Sequence, residues 1–162
     1  MTNKLRAYLG KDPYIFVSYS HKDKDVVYPF IETLQKRFNV WFDDGIHLGK
    51  DYKAEIMDHL KRCELFLFLI SENSLNSDFC KKEIYFAEQK KKRFINIIIK
   101  NIELPDLFIF DYGHLQCFNL FEYDDLSSAV DDLVRKSSGW FDPCEIKVKK
   151  GDIKDLFKES PK

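Results

Sequence analysis

One glutamate, Glu83, has the sequence surroundings of a catalytic or ligand-binding residue. It follows a continuous apolar run at residues 65–70 and a loop rich in Ser and Asn at residues 71–77. A short apolar run of this kind predicts a strand that is covered on both faces, as in a parallel sheet. In the helix predicted next, Phe79 and Glu83 are four residues apart and share one flank. The pattern therefore places a carboxylate beside an aromatic ring at the sheet edge where open α/β folds bind ligands.

A glutamate at this position of a helix can also be an ordinary surface residue with no role in a site. A Glu in the first turns of a helix is usually exposed and compensates the helix dipole, which contributes only about 0.3 to 1 kcal/mol to stability. The helix itself is well marked, because Ser77 or Asp78 can cap it. Its sheet-facing positions follow the i, i+4, i+7 spacing and are Cys80, Ile84 and Ala87. Spacing alone leaves both interpretations of Glu83 open.

Composition limits the class of protein. The chain has 162 residues with 44% hydrophobic content, which suits one domain with a substantial core, and its net charge of -1 argues against a nucleic-acid footprint. The basic run at residues 90–93 is expected to be a solvated helix end. The start of the chain has no apolar signal region, and its apolar runs fall short of the ~18 residues that a membrane helix needs. We therefore expect a cytoplasmic protein with no membrane or nucleic-acid partner.

The cysteines point to no metal or disulfide chemistry. They are widely spaced, form no Cys-x-x-Cys pair and have no nearby His at ligand spacing: Cys63, Cys80, Cys117 and Cys144. We predict reduced, mostly buried thiols.

The first half of the chain predicts two strands, each followed by a helix. Residues 14–18 and 39–42 are the strands. Pro29 requires the first helix to begin near Asp25 if the proline is to lie in the first turn. The apolar face of that helix comprises Val26, Val27, Phe30, Ile31 and Leu34. After the second strand, Asp43-Asp44-Gly45 predicts a turn with positive φ at the glycine. Asp51 is expected to cap a helix with Tyr52, Ile56, Met57 and Leu60 on one side.

The second half continues the alternation. Residues 94–99 are the predicted fourth strand, and a break at Leu104-Pro105-Asp106 begins a longer connection containing Phe108, Phe110 and Tyr112. Residues 116–120 are the predicted fifth strand, at an edge of the sheet. The last helix has an apolar face formed by Leu126, Ala129, Val130, Leu133 and Val134. We predict a lead-in at residues 1–12, either frayed or a short segment preceding the domain, then a domain at residues 13–137 and an extension of unknown role at residues 138–162.

Three segments together resemble the Toll/interleukin-1 receptor (TIR) domain. The run from Tyr14 to Tyr19 is similar to the Phe-Ile-Ser-Tyr motif of that family, and the loop from Asp43 to Lys50, with Tyr52 three residues after Gly49, is similar to its loop before the second helix. The segment Phe79-Cys80-x-x-Glu83 resembles the Trp-Cys-x-x-Glu motif, with Phe79 in place of Trp. The resemblance covers residues 13–137. It implies an α/β, three-layer flavodoxin-like fold whose five-stranded, mostly parallel sheet has the order 2-1-3-4-5 and helices on both faces.

Other functions of the same architecture lack their residues. A phosphoacceptor receiver domain needs an Asp after the third strand and an acidic pair after the first, where this chain has Ser71 and Ser18-Tyr19-Ser20. The chain also has no Gly-x-Gly-x-x-Gly after the first strand and no Walker loop, so ordinary hydride transfer and NTP hydrolysis lack a phosphate cradle.

The resemblance implies cleavage of the nicotinamide–ribose bond of NAD, an NAD nucleosidase activity whose product is linear, cyclic or conjugated ADP-ribose. Glu83 would supply the catalytic carboxylate, and Ser18, Tyr19 and His21 would position ribose and phosphates. Asp43, with its loop, and Tyr52 would frame the nicotinamide. Ser71 and Phe79 complete the substrate-binding candidates. NAD is the expected substrate, and no further cofactor is expected.

Partners and setting also follow from the resemblance. It implies self-association through the loop from Asp43 to Lys50, a role in antiviral defence, and a downstream effector that senses an ADP-ribose-derived signal. The alternative is a scaffold that pairs with other TIR domains and performs no chemistry. Scaffold members commonly lack the helix Glu, which favours the enzyme.

Overall fold

Five parallel strands form the centre of the molecule, in the order β2-β1-β3-β4-β5. The computed structural model describes residues 5–45, 51–113 and 117–137. The strands are β1 Ile15–Ser18, β2 Val40–Phe42, β3 Leu65–Ile70, β4 Arg93–Ile98 and β5 Cys117–Asn119. The helices are α1 Lys24–Gln35, α2 Tyr52–Arg62, α3 Glu72–Leu75, α4 Asp78–Gln89, α5 Asp106–Tyr112 and α6 Leu126–Ser137. Short 3-10 helices occupy His21–Asp23 and Leu120–Glu122. The predicted fold class and strand order are confirmed.

Helices cover both faces of the sheet because alternate residues of each strand point to opposite sides. On one face, Leu65, Leu67 and Leu69 of β3 belong to a core that includes residues of α1 and α6. On the other face, the intervening residues Phe66 and Phe68 pack in a second core with residues of α2, α4 and α5. All six residues of β3 are buried, which explains why its sequence is apolar without alternation.

Two details of the helices differ from the sequence prediction. Helix α1 begins at Lys24, within one residue of the predicted start, but Pro29 is its sixth residue and lies beyond the first turn. Pro29 has no N–H to donate to the carbonyl of Asp25, four residues earlier. Because both residues are exposed, that carbonyl can bond water instead. In α2, Ile56 and Leu60 are buried as expected, but Met57 is 48% exposed. The spacing therefore predicted one more buried residue on this side of α2 than the structure shows.

Helix α5 was not predicted. It begins after Pro105 within the segment that the sequence suggested was an irregular connection. With seven residues and apolar side chains on all sides, it is too short to show helical periodicity. Phe108 is the buried residue that anchors it to the sheet.

Residues 5–12 run along the β2 edge of the sheet. The Tyr8 N–H donates to the Val40 carbonyl at 2.8 Å, and Gln35 Nε2 donates to the Arg6 carbonyl at 2.7 Å. Of the two alternatives for the lead-in, these contacts favour a short segment that precedes the domain. The extension at residues 138–162, including Cys144, lies outside the described residues. None of the helices in the described ranges is long and apolar enough to cross a membrane.

Candidate functional site

A cleft of about 360 Å³ opens at the carboxyl ends of β1 and β2. Its walls come from the segments that follow these two strands and from the first turns of α2 and α4, which is the edge where parallel sheets bind ligands. The lining residues are Val17, Tyr19, Ser20, His21, Lys22, Asp43, Gly45, Tyr52, Ser77, Phe79 and Glu83. The structure thus brings together six of the eight residues that the sequence proposed for the site.

Glu83 points into the protein. Its Oε1 accepts a hydrogen bond of 2.6 Å from Ser18 Oγ, and Ser18 is almost fully buried at the end of β1. Loss of water around the carboxyl group raises the pKa of Glu83 to about 8, the negative charge of Asp43 adds to the rise, and the Ser18 bond opposes it. The surroundings of Glu83 therefore favour the protonated carboxyl group more than water does. The dipole-compensating surface interpretation does not fit this placement.

The segment after β1 holds the turn after β2 in place. The Tyr19 hydroxyl donates to the Asp43 carbonyl at 2.5 Å, and Lys24 Nζ donates to the Asp44 carbonyl at 3.2 Å. His21 Nε2 lies 3.1 Å from the same Asp43 carbonyl and 3.6 Å from Asp43 Oδ2. Burial raises the pKa of Tyr19 well above its ordinary value, so its hydroxyl keeps the proton that it donates. One side of the cleft is therefore pre-organised by hydrogen bonds.

The turn itself has the predicted conformation. Gly45 has a φ of +83°, and its N–H donates to Asp43 Oδ1 at 3.0 Å. An added Cβ at Gly45 would lie 3.1 Å from His21 Nδ1. The glycine thus meets both a conformational and a steric requirement. The rest of the loop, residues 46–50 with Gly49, lies outside the described residues.

Two aromatic rings stand beside Glu83. Tyr52, the first residue of α2, and Phe79, near the start of α4, stack with ring centroids 5.7 Å apart and an angle of 29° between the planes. Phe79 is 36% exposed. The N-terminus of α4 is fixed by Ser77, whose Oγ accepts from the Cys80 N–H at 3.2 Å. These rings form an aromatic wall that could stack against a planar base.

Ser71, a predicted substrate-binding residue, is not among the residues that line the cleft. Its hydroxyl caps α3 by accepting from the Ser74 N–H and donates to Asp23 Oδ2 at 2.5 Å. Asp23 is fully buried and also accepts from Asn73 Nδ2 at 2.8 Å and Lys100 Nζ at 3.0 Å. Ser71 therefore belongs to a buried network that joins the segments after β1, β3 and β4. Ser18, also outside the cleft lining, reaches the site through Glu83.

Sequence reasoning missed Asp23, Asn73 and Lys100. The available signal was an acid after the first strand and a base after the fourth, at one edge of a parallel sheet.

The cysteines Cys63 and Cys80 are buried and Cys117 is partly buried. No group of three or more His, Cys, Asp or Glu residues in the described part of the chain is arranged to hold a metal ion. The absence of metal and disulfides stays a prediction.

Replacing Asp23 by Asn should lower the free energy of unfolding by about 2 to 4 kcal/mol at pH 7. Burial opposes ionisation of Asp23, but donors from Ser71, Asn73 and Lys100 outweigh it and hold the pKa below its ordinary value. A lowered pKa gives stability above the unfolded-state pKa, and that stability disappears as the pH falls through the folded-state pKa. The loss should therefore shrink below pH about 4.

Urea unfolding at neutral and acidic pH measures this effect. The matched control is Asp25→Asn, an exposed acid two residues further on, which should change stability by less than about 0.5 kcal/mol. An Asp23→Asn loss of equal size at both pH values would show that ionisation of Asp23 is not the cause.

The sequence is similar to a known domain family and to one protein of a soil bacterium. A family profile described as TIR domain matches residues 15–134. Uncharacterized protein y4lF of Sinorhizobium fredii is 32% identical over 73 residues, which are 42% of this chain and 23% of that protein. The chain thus spans about a quarter of that relative's length.

Two solved structures share the fold. The TIR domain of the Toll-related receptor TRR-2 from Hydra magnipapillata has a TM-score of 0.53 and 16% identity, covering 64% of this chain and 83% of that one. The CMP N-glycosidase BcmB of Clostridium botulinum has a TM-score of 0.51 and 17% identity, covering 74% of this chain and 96% of that one. At these identities the likeness concerns the fold.

Proposed function

Because the chain belongs to the TIR domain family, we propose that it is an enzyme that cleaves the N-glycosidic bond between nicotinamide and ribose in NAD. The observation that carries the proposal is the Glu83 carboxyl group, held by Ser18 inside a cleft with an aromatic wall. A surface carboxylate that only compensated a helix dipole would not need a buried serine to orient it.

The reaction requires a carboxylate close to the ribose. Breaking the bond leaves an oxocarbenium-like sugar, and a fixed negative charge stabilises the positive charge as it develops. Glu83 is the candidate for that charge. Its raised pKa suits a substrate that brings its own cation, because the pyridinium of NAD would favour the ionised carboxylate on binding. Ser18 would keep the group oriented in both states.

The remaining lining residues suit the other parts of the substrate. Tyr52 and Phe79 offer ring faces for the nicotinamide, as stacked aromatic side chains do for planar bases. His21 and Lys22, in the segment after β1, also line the cleft and could hydrogen-bond ribose hydroxyls or phosphates. A cleft of about 360 Å³ is at the small end of ligand sites, so it suits one nucleoside half of the dinucleotide.

A protein of the same fold is named for related chemistry. The Clostridium botulinum neighbour is a CMP N-glycosidase, so this fold can carry cleavage of an N-glycosidic bond. That name also supplies a competing substrate, a pyrimidine nucleotide without a cationic base. We favour NAD because the family resemblance implies that substrate, and because its base already carries a positive charge and can leave without receiving a proton.

The proposed setting follows the family expectation. Self-association through the loop from Asp43 to Lys50 would close the cleft from water, and the product would be an ADP-ribose-derived signal for a downstream effector in antiviral defence. Only Asp43, Asp44 and Gly45 of that loop belong to the described residues.

Mass analysis of NAD incubated with concentrated protein tests the function. We expect free nicotinamide in equal amount to linear, cyclic or conjugated ADP-ribose. CMP is the matched second substrate, and release of cytosine with NAD intact would contradict the proposal. If neither substrate is consumed at protein concentrations up to about 500 µM, well above those of weak association, the scaffold alternative replaces the enzyme.

A further inference from the structure

A cavity of about 550 Å³ lies between α3, α4 and α5 and is here called the α4/α5 cavity. No described residue lines both this cavity and the cleft. Its volume is within the range of sites that bind another molecule or chain segment. The apolar part of its lining comes from β3 and the surrounding helices and loops: Phe68, Leu75, Ile84, Ile102, Leu107, Phe108 and Tyr112.

The apolar surface continues from the cavity onto the outer side of α5. Leu107 lines the cavity and is 71% exposed, and Phe110, about one turn further along α5, is 85% exposed. Phe108 between them is buried in the core and keeps the helix attached to the sheet. Exposed apolar side chains that cluster in this way mark interaction surfaces more often than isolated ones do. The α4/α5 cavity and the outer side of α5 therefore form one exposed apolar surface.

The border of this surface is acidic. Glu72, Glu103 and Asp111 line the cavity and are exposed, whereas Lys81 is the base among its described lining residues. The segment that contains α5, residues 101–113, has no Lys, Arg or His. An occupant should therefore combine apolar side chains with a net positive charge.

Residues 146–158, beyond the described ranges, have this composition. Five lysines against two aspartates give the segment a net charge of +3. Ile153, Leu156 and Phe157 follow the i, i+3, i+4 spacing that places apolar side chains on one side of a helix. We propose that residues 146–158 dock on the α4/α5 cavity and the outer side of α5 of the same chain. The three apolar residues would contact the apolar surface, and the lysines would lie along its acidic border.

The surface is within reach of the end of α6. Helix α5 ends at the amino edge of the sheet, where Tyr112 stacks with Phe94 near the start of β4 at a centroid distance of 5.7 Å. On the opposite face, α6 runs toward the same edge, because Asp131 accepts at 3.0 Å from Arg37, just beyond the end of α1. The edge strand on this side is β5. An extended chain covers about 3.3 Å per residue, so residues 138–145 can span roughly 26 Å around that edge.

Attachment to the same chain favours this segment over other occupants. A tether of this length holds it near the surface at an effective concentration of about 1 mM, whatever the concentration of the protein. A contact with a dissociation constant of about 100 µM as a free peptide would then be formed about 90% of the time. The docking does not depend on the proposed catalytic activity, because the cavity and the cleft have no described lining residue in common.

Hydrogen–deuterium exchange of the full chain at about 10 µM tests the proposal, with one surface changed and the exchange of the other measured. In Glu103→Lys with Asp111→Lys, a contact weakened about tenfold would lower the protection of residues 146–158 from about 11-fold to about 2-fold. Their amides should therefore exchange about fivefold faster than in the wild type. In Lys154→Glu with Lys158→Glu, the amides of α5 should exchange faster by a similar factor. A chain carrying all four changes should recover the wild-type rates, because its charges are exchanged and still complementary.

Two controls separate this contact from others. Glu32→Lys with Asp124→Lys makes the same charge change at exposed acids outside the α4/α5 cavity and α5, and should leave the exchange of residues 146–158 unchanged. A mixture of the two charge variants should not recover the wild-type rates, because each chain carries a mismatched segment and surface. Recovery in the mixture would assign the contact to two separate chains and overturn the proposal. Wild-type residues 146–158 that exchange as fast as an unfolded peptide, charge variants with wild-type rates, or a chain with all four changes that does not recover would overturn it as well.

Discussion

Replacing Glu83 by Gln should lower the rate of NAD cleavage by a factor of about 10² to 10³. The amide has nearly the same shape as the carboxyl group, and its oxygen can still accept the hydrogen bond from Ser18. What it lacks is the negative charge that the sugar needs as its bond to nicotinamide breaks. Initial rates at saturating NAD, with circular dichroism to check folding, measure the loss.

The matched control for this substitution is on the same helix. Glu88 is exposed near the end of α4, and Glu88→Gln makes the same chemical change away from the cleft. It should retain the wild-type rate. If Glu83→Gln also keeps the wild-type rate, Glu83 has no catalytic role and the proposed function loses its central residue.

The same substitution should make the fold more stable, and increasingly so as the pH rises. Burial raises the pKa of Glu83 from an ordinary value of 4.5 to about 8, so between these values the folded state binds more protons than the unfolded state. Stability contributed by this group therefore falls as the pH rises through that window. Because Glu83 keeps some contact with water, we expect a total loss of about 1 to 3 kcal/mol.

Urea unfolding of the wild type and of Glu83→Gln at several pH values measures the difference. The advantage of the variant should be smallest near pH 5 and largest near pH 9, where the wild type must bury a charged carboxylate. Glu88→Gln serves again as the control and should show a constant, small difference. A Glu83→Gln advantage that does not change with pH would mean that the carboxyl group is solvated. This test requires no substrate, so it is independent of the catalytic proposal.

The sequence was sufficient for the framework of the fold. The apolar run at residues 65–70 predicted a strand buried on both faces, and all its residues are buried. Asp51 was predicted as a cap and Ser77 as one of two candidates, and both accept from backbone N–H groups at the helix starts. These features depend on neighbours in the chain, which is why residue type and spacing reveal them. The family resemblance is confirmed by the profile match, whereas NAD cleavage stays a prediction.

The site required the tertiary structure. Glu83 and Ser18 are 65 positions apart in the chain, and nothing local to either residue indicates that their side chains meet and that the carboxyl group loses water. Ser71 shows the converse, because the family resemblance implied a substrate-binding role, whereas its hydroxyl caps α3 and contacts the buried Asp23. Distances between distant segments, and the loss of water that follows, decide the charge of a carboxyl group. These are properties of packing, so only the folded chain determines them.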